Sequence, residues 1–264
     1  MLVVATPQFA RASIRMPATQ GEIFMKALIG AAALALVSKS RGASAAVLAM
    51  MAYCVNAVFP NIKFIVPKSF HRFVLLRIVG ANEPYKQMLR QNPERLFLAN
   101  EALPWIRDNF ERVLFVGTAP YTYQHEKQFG DNPDRYTTID RNPATKVWGS
   151  THHIVAPLEE IDRHRPRGSF DCVILSGVLG YRVPAHDDYG PIEPKHLSMI
   201  LAALGNVMRP GALLLVGWNV DDMPQSLEGM GLLEPLFVWA AKTPWGTRKE
   251  FPQDPHVFEF YERR

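Results

Sequence analysis

From residue 113 onward, short uninterrupted apolar runs alternate with stretches whose apolar residues recur at helical spacing. The runs 113–117 (VLFVG), 136–140 (YTTID), 152–156, 170–177 (FDCVILSG) and 212–218 (ALLLVGW) predict five strands. Between them, residues 121–129, 158–164 and 192–208 predict helices, the last stopping at Pro210-Gly211, and 131–134 (DNPD) predicts a turn. Ahead of the first strand, Asn92-Pro93-Glu94 has the form of a helix start, and the apolar positions through Leu103, Trp105 and Ile106 continue it. Strands apolar on both sides and separated by helices imply a mostly parallel sheet covered on both faces. The end of the chain differs: 236–241 and 256–261 read as two strands joined by a long loop containing Pro and Gly, an antiparallel hairpin.

The first 80 residues have another pattern. Residues 27–38 and 42–62 carry no charge, and a basic knot, Lys39-Ser40-Arg41, separates them. Only the second run is long enough to cross a bilayer, which takes about 20 apolar residues, and it is Ala-rich, contains Asn56 and ends at Pro60. Through Gly80 there are nine Lys or Arg against one acid, Glu22, while the whole chain of 264 residues carries only +4, so the body is mildly acidic. Basic residues before, between and after the two runs assign no crossing direction. The pattern predicts a basic, apolar helical segment over 1–80 that lies as a hairpin on an anionic membrane surface. A helical connector over 81–110 and a domain of alternating strands and helices over 111–264 follow. Two Ala-rich helices packed on the body or in a dimer interface are the alternative. A secretory signal is disfavoured by the charges inside the run. A mildly acidic body argues against nucleic acid as a partner, and two cysteines, Cys54 and Cys172, in apolar runs make neither a disulfide framework nor a zinc site.

Four places, VLFVGTAPY, YTTIDRNP, FDCVILSGVLGY and MRPGALLLVGWN, together with the order of elements, resemble the class I S-adenosylmethionine-dependent methyltransferases over a little more than half the chain. The resemblance implies a Rossmann-like doubly wound sheet with S-adenosylmethionine as cofactor. Gly117, Thr118, Ala119 and Tyr121 would form the loop beside the cofactor's methionine part, Asp140 would accept the ribose hydroxyls, Arg141 would stack on the adenine, and Ser176, Gly177 and Val178 would line the reaction centre. The sequence departs from the family at Phe115, where an acidic residue is usual, and at Ala119 and Tyr121, which replace glycines. These departures support the rival reading, a membrane-associated scaffold that has lost cofactor binding.

On the rim after the fourth strand, His186-Asp187-Asp188-Tyr189 makes His186 the first candidate and Asp187 the second for a catalytic base. Tyr181, Trp218 and Asn219 are candidate substrate contacts. His152-His153 suggests no metal site, since adjacent residues on a strand face opposite ways. The expected reaction is direct methyl transfer to a small-molecule or lipid-linked acceptor, such as a glycan on a carrier lipid, at the cytoplasmic face of a membrane. Oligomeric state is not legible.

Overall fold

The chain divides into two units, Met1–Val79 and Gly80–Arg264. The computed structural model describes residues 92–179, 193–252 and 254–264, besides the isolated positions 68, 72 and 76. The two apolar runs, Cys54, Tyr181, His186 and Asp187 lie outside the described residues.

The described chain opens on helix α1 (Pro93–Phe97), passes through a π-helical turn (Leu98–Ala102) and continues as α2 (Leu103–Asn109). The wide turn sits where Pro104 enters the helix. Proline brings no N–H and its ring presses on the carbonyl four residues back, and the Leu103 N–H reaches five residues back to the Leu98 carbonyl instead.

Eight strands follow: β1 (Val113–Val116), β2 (Tyr136–Asp140), β3 (His152–Val155), β4 (Phe170–Ser176), β5 (Met208–Asn219), β6 (Phe237–Trp239), β7 (Arg248–Phe251) and β8 (Asp254–Arg263). They form one sheet in the order β3-β2-β1-β4-β5-β8-β6, with β7 also on β8. The first five are mutually parallel, and β8 runs antiparallel to both β5 and β6. The chain works outward from β1 to β3 and then returns to the other side of β1 at β4. The crevice at the carboxyl ends of β1 and β4 is therefore the topological switch point, where doubly wound sheets bind ligands.

Alternate residues of each strand enter two cores. On one face Leu114, Val173, Leu214 and Trp218 pack with Leu197 and Leu204 of helix α4 (Pro194–Val207). On the other, Phe115, Ile174, Leu215 and Phe258 pack with Phe97 and Ile106 of α1 and α2. This second packing brings the start of α1 to the carboxyl edge of the sheet.

Three expectations need correction. Residues 121–129 do not form an α-helix: a turn is followed by a 3₁₀ segment, His125–Phe129. The segment is short, and Pro120 with the Thr122 side chain closes a turn instead. Helix 158–164 is a 3₁₀ turn, Leu158–Glu160, leading into α3 (Ile161–His164). Pro210-Gly211 does not separate helix from strand: β5 begins at Met208, opposite Phe170, and accommodates the proline in a bulge before Leu213 pairs with Cys172. Bulges are where sheets tolerate a residue without an N–H. The closing strands β6 and β8 pair antiparallel as expected, and the long loop between them holds one more strand. The polar strand β7 intervenes, pairs with β8 (Lys249 with Phe258), and leaves β8 inserted between β5 and β6.

The Phe-Asp pair that opens β4 has a structural role. Asp171, fully buried at the amino end of the sheet, accepts the Arg112 N–H at 2.8 Å and the Glu111 N–H at 3.0 Å and pairs with Arg209 at 3.3 Å. It fixes the entry to β1 from the edge opposite the site.

Candidate functional site at the carboxyl edge of the sheet

Gly117 follows β1 in the left-handed region, φ +82°, and a Cβ there would stand 3.4 Å from a Val178 methyl. Only glycine takes this conformation without strain. The turn brings the Thr118 N–H to 2.8 Å from Asp140 Oδ2, with the Thr118 hydroxyl at 3.2 Å from the same oxygen, while Asp140 Oδ1 accepts the Asn142 N–H at 2.8 Å. A carboxylate offers about four lone-pair sites. Three are engaged, and the Thr118 hydroxyl has an alternative acceptor in the Thr145 carbonyl at 3.3 Å. Asp140 is thus oriented by the loops after β1 and β2 and keeps capacity for two further hydroxyl donors. Arg141 is exposed in the turn beyond it.

The loop after Gly117 does without further glycines because its turn needs no positive φ. Pro120 sits second in a turn closed by the Thr122 N–H on the Ala119 carbonyl at 2.9 Å, and the Thr122 hydroxyl bridges back to the Ala119 N–H at 3.0 Å. No non-glycine residue among the described ones has a positive φ. The Tyr121 ring lies under the guanidinium of Arg95, 4.8 Å from its centroid.

On the α1 side of the sheet a polar cluster meets this loop. Gly177 (φ +70°) follows β4, and a Cβ there would meet Arg95 Nη2 at 3.4 Å. Ser176 Oγ is buried without a hydrogen-bond partner. On β5, Gly217 lies opposite Ser176, and a Cβ on it would stand 2.8 Å from His256 Nε2. Asn219 faces His256 across the β5–β8 register, with Oδ1 2.9 Å from Nδ1. The Asn219 amide nitrogen reaches Asp222 at 3.4 Å, which leaves its oxygen toward the ring, so the imidazole carries its proton on Nδ1. Nε2 is buried with no partner. His125 packs edge-on against Phe115, 5.2 Å between ring centroids, its Nδ1 also buried and unpartnered.

Burial, helped by the Arg95 charge, pushes both His125 and His256 down to about 4, with Asp254 opposing the shift at His256. Glu94, beside Arg95, is pushed up by burial and by its hydrogen bond with Asp254. The cluster therefore combines neutral imidazoles, a fixed guanidinium and a carboxyl of weakened charge.

The structure brings Gly117, Thr118, Ala119, Tyr121, Asp140, Ser176, Gly177 and Val178 to one edge. Trp218 is not at that edge as a substrate contact. Strand alternation turns it to the α4 face, where it is 1% exposed and its indole N–H donates to the Met223 carbonyl at 2.9 Å. Asn219 is at the edge but bound to His256. His152 and His153 have separate neighbours, Asp134 at 3.7 Å and the Thr138 hydroxyl at 2.8 Å. Among the described residues no three His, Cys, Asp or Glu side chains are grouped to hold a metal. Arg95, His125 and His256 were missed. The signal for His256 was available, since an antiparallel strand inserted beside β5 must start at the edge where β5 ends.

No protein-family model and no curated protein matches the sequence. Among solved structures the chain is similar to the N-methyltransferase NodS of Bradyrhizobium japonicum, in complex with S-adenosyl-l-homocysteine, at 14% identity over 67% of this chain and 90% of that one, TM-score 0.47. It is similar to the 1,6-didemethyltoxoflavin-N1-methyltransferase of Burkholderia thailandensis at 15% identity over 75% and 90% of the two chains, TM-score 0.43. A SAM-dependent methyltransferase of Archaeoglobus fulgidus is similar at 10% identity over 69% and 98%, TM-score 0.45.

Proposed function

We propose that the chain binds S-adenosylmethionine at the carboxyl edge of β1, β2 and β4 and transfers its methyl group to an acceptor. The observation that carries this is Asp140: a carboxylate at the end of β2, aimed by backbone N–H groups of Thr118 and Asn142 and retaining acceptor capacity, across from a left-handed glycine at the switch point. A ribose diol is the ligand group that uses such a pair of acceptors. Gly117, Thr118, Ala119 and Tyr121 would line the cofactor's amino-acid side, Arg141 its adenine, and Ser176, Gly177 and Val178 its methyl-bearing sulfur. Bound there, the cofactor supplies an already activated methyl group. The chain's own task is then to hold the acceptor atom in line at near-attack distance and to keep water away.

The reading is tested by ultraviolet crosslinking of methyl-tritiated S-adenosylmethionine to the full chain. Label competed by S-adenosylhomocysteine and located in peptides containing 117–121 or 140–148 is expected. Label that S-adenosylhomocysteine fails to compete would overturn it.

The acceptor reading rests on the basic, apolar first 80 residues. An anionic membrane surface recruited by that segment would hold the site at the cytoplasmic face of a membrane and favour a lipid-linked acceptor. Among the described residues no helix is long and apolar enough to cross a membrane. Flotation with anionic and with neutral liposomes, comparing the full chain with one beginning at Asn82, tests this. Salt-sensitive flotation of the full chain alone on anionic liposomes is expected. Equal behaviour of the two chains would point to a soluble small-molecule acceptor.

A further inference from the structure

Arg95 is a charge in an unusual position. It leaves the first turn of α1, crosses the carboxyl edge of the sheet, and sets its guanidinium between the loop after β1 and the turn after β4. Nη2 lies 3.4 Å from where a Gly177 Cβ would be, and the ion stands 4.8 Å from the Tyr121 ring centroid. The side chain is only 16% exposed, and its Nε is buried with no hydrogen-bond partner. The acid paired with it is the neighbouring Glu94, 3.5 Å away and itself drawn toward its neutral form by burial and Asp254. The two imidazoles within its field, His125 and His256, are held neutral. Its buried Nε–H faces only Glu94 Oε1, beyond hydrogen-bond reach, with Asp254 behind that carboxyl, and the planar fork of the guanidinium suits a carboxylate ligand.

Resting on the cofactor reading above, we infer that Arg95 binds the α-carboxylate of the amino-acid arm of S-adenosylmethionine. The dimensions agree. Asp140 ends β2 and Gly177 follows β4, two strand spacings away, about 10 Å, which is the reach of a nucleoside with a short amino-acid arm.

The test compares three ligands on the full chain by titration calorimetry: S-adenosylhomocysteine, its carboxyl methyl ester, and 5′-methylthioadenosine, which keeps the adenosine and sulfur but lacks the arm. In wild type the ester should bind about ten- to hundredfold more weakly than the acid. Arg95→Gln should lose the same factor for the acid while leaving the ester and 5′-methylthioadenosine within about twofold, and Arg95→Lys should recover part of the loss. Should Arg95→Gln fail to fold, the wild-type acid-to-ester ratio decides. A ratio near one, or an Arg95→Gln chain that weakens all three ligands alike, overturns the inference while leaving the cofactor site in place. Wild type that binds none of the three overturns the cofactor reading and the inference with it.

Discussion

His256 and Asn219 face each other across the β5–β8 register and share one hydrogen bond, Nδ1 to Oδ1 at 2.9 Å, which leaves the buried Nε2 as a lone pair pointing into the cluster at the sheet edge. An imidazole fixed in this tautomer cannot accept a proton there without carrying charge next to Arg95. It therefore stays neutral through the physiological range, as does His125.

This has a consequence for stability. The unfolded chain takes up both protons as pH falls below 6.5, whereas the folded chain resists until about 4. The stability each group contributes is present in full above pH 6.5, declines through that window and is lost as pH falls through about 4, an effect of about 3 kcal/mol at His125. Glu94 and Glu259, both pushed up by burial, act with the opposite sign, so a difference measurement is needed. Urea unfolding of wild type and His125→Gln between pH 4.5 and 7 should give slopes that diverge, wild type gaining more with rising pH. Parallel slopes would contradict the assignment.

Asp140 has two jobs, and its variants separate them. Asp140→Ala removes the acceptor of two backbone N–H groups, so unfolding free energy should fall by about 2–3 kcal/mol, and S-adenosylhomocysteine affinity should fall by about 1.5–3 kcal/mol. Asp140→Asn keeps one carbonyl oxygen and should lose less stability. Denaturant titration together with calorimetry checks both. Full affinity in Asp140→Ala would remove the residue from the site.

Two glycines at the edge should respond to alanine for different reasons. At Gly117 the penalty is conformational, φ +82°, about 1–2 kcal/mol. At Gly217 it is steric, because the new methyl would lie 2.5 Å from the Phe258 ring and 2.8 Å from His256 Nε2, about 1–3 kcal/mol as the core shifts. Phe258→Leu should relieve part of the Gly217→Ala cost and none of the Gly117→Ala cost. Equal relief of both would show that the steric account is wrong.

The strands that carry the site were legible because a strand buried on both faces writes an unbroken apolar run, as in 113–117 and 170–177. Asp140 and Gly117 were legible because they close such runs. The polar strand β7, with residues RKEF alternating between exposed and half-buried, has no such signature and is defined only by pairing with β8. Trp218 was misplaced because an edge position was read from sequence order alone, while the two-residue period of β5 turns it to the far face. Arg95, His125 and His256 come together only through the docking of α1 and the insertion of β8 beside β5. Nothing in the local sequence of Arg95 or His125 announces this, whereas His256 opens a strand that the apolar run 256–261 already marked.

The most direct measurement is calorimetric titration of the full chain with S-adenosylhomocysteine, alongside the same titration of Asp140→Ala. The account predicts saturable binding with one ligand per chain and a clear loss of affinity in the variant. Absence of heat and of any thermal shift at millimolar ligand would contradict it, and would leave the chain as a methyltransferase-like scaffold without its cofactor.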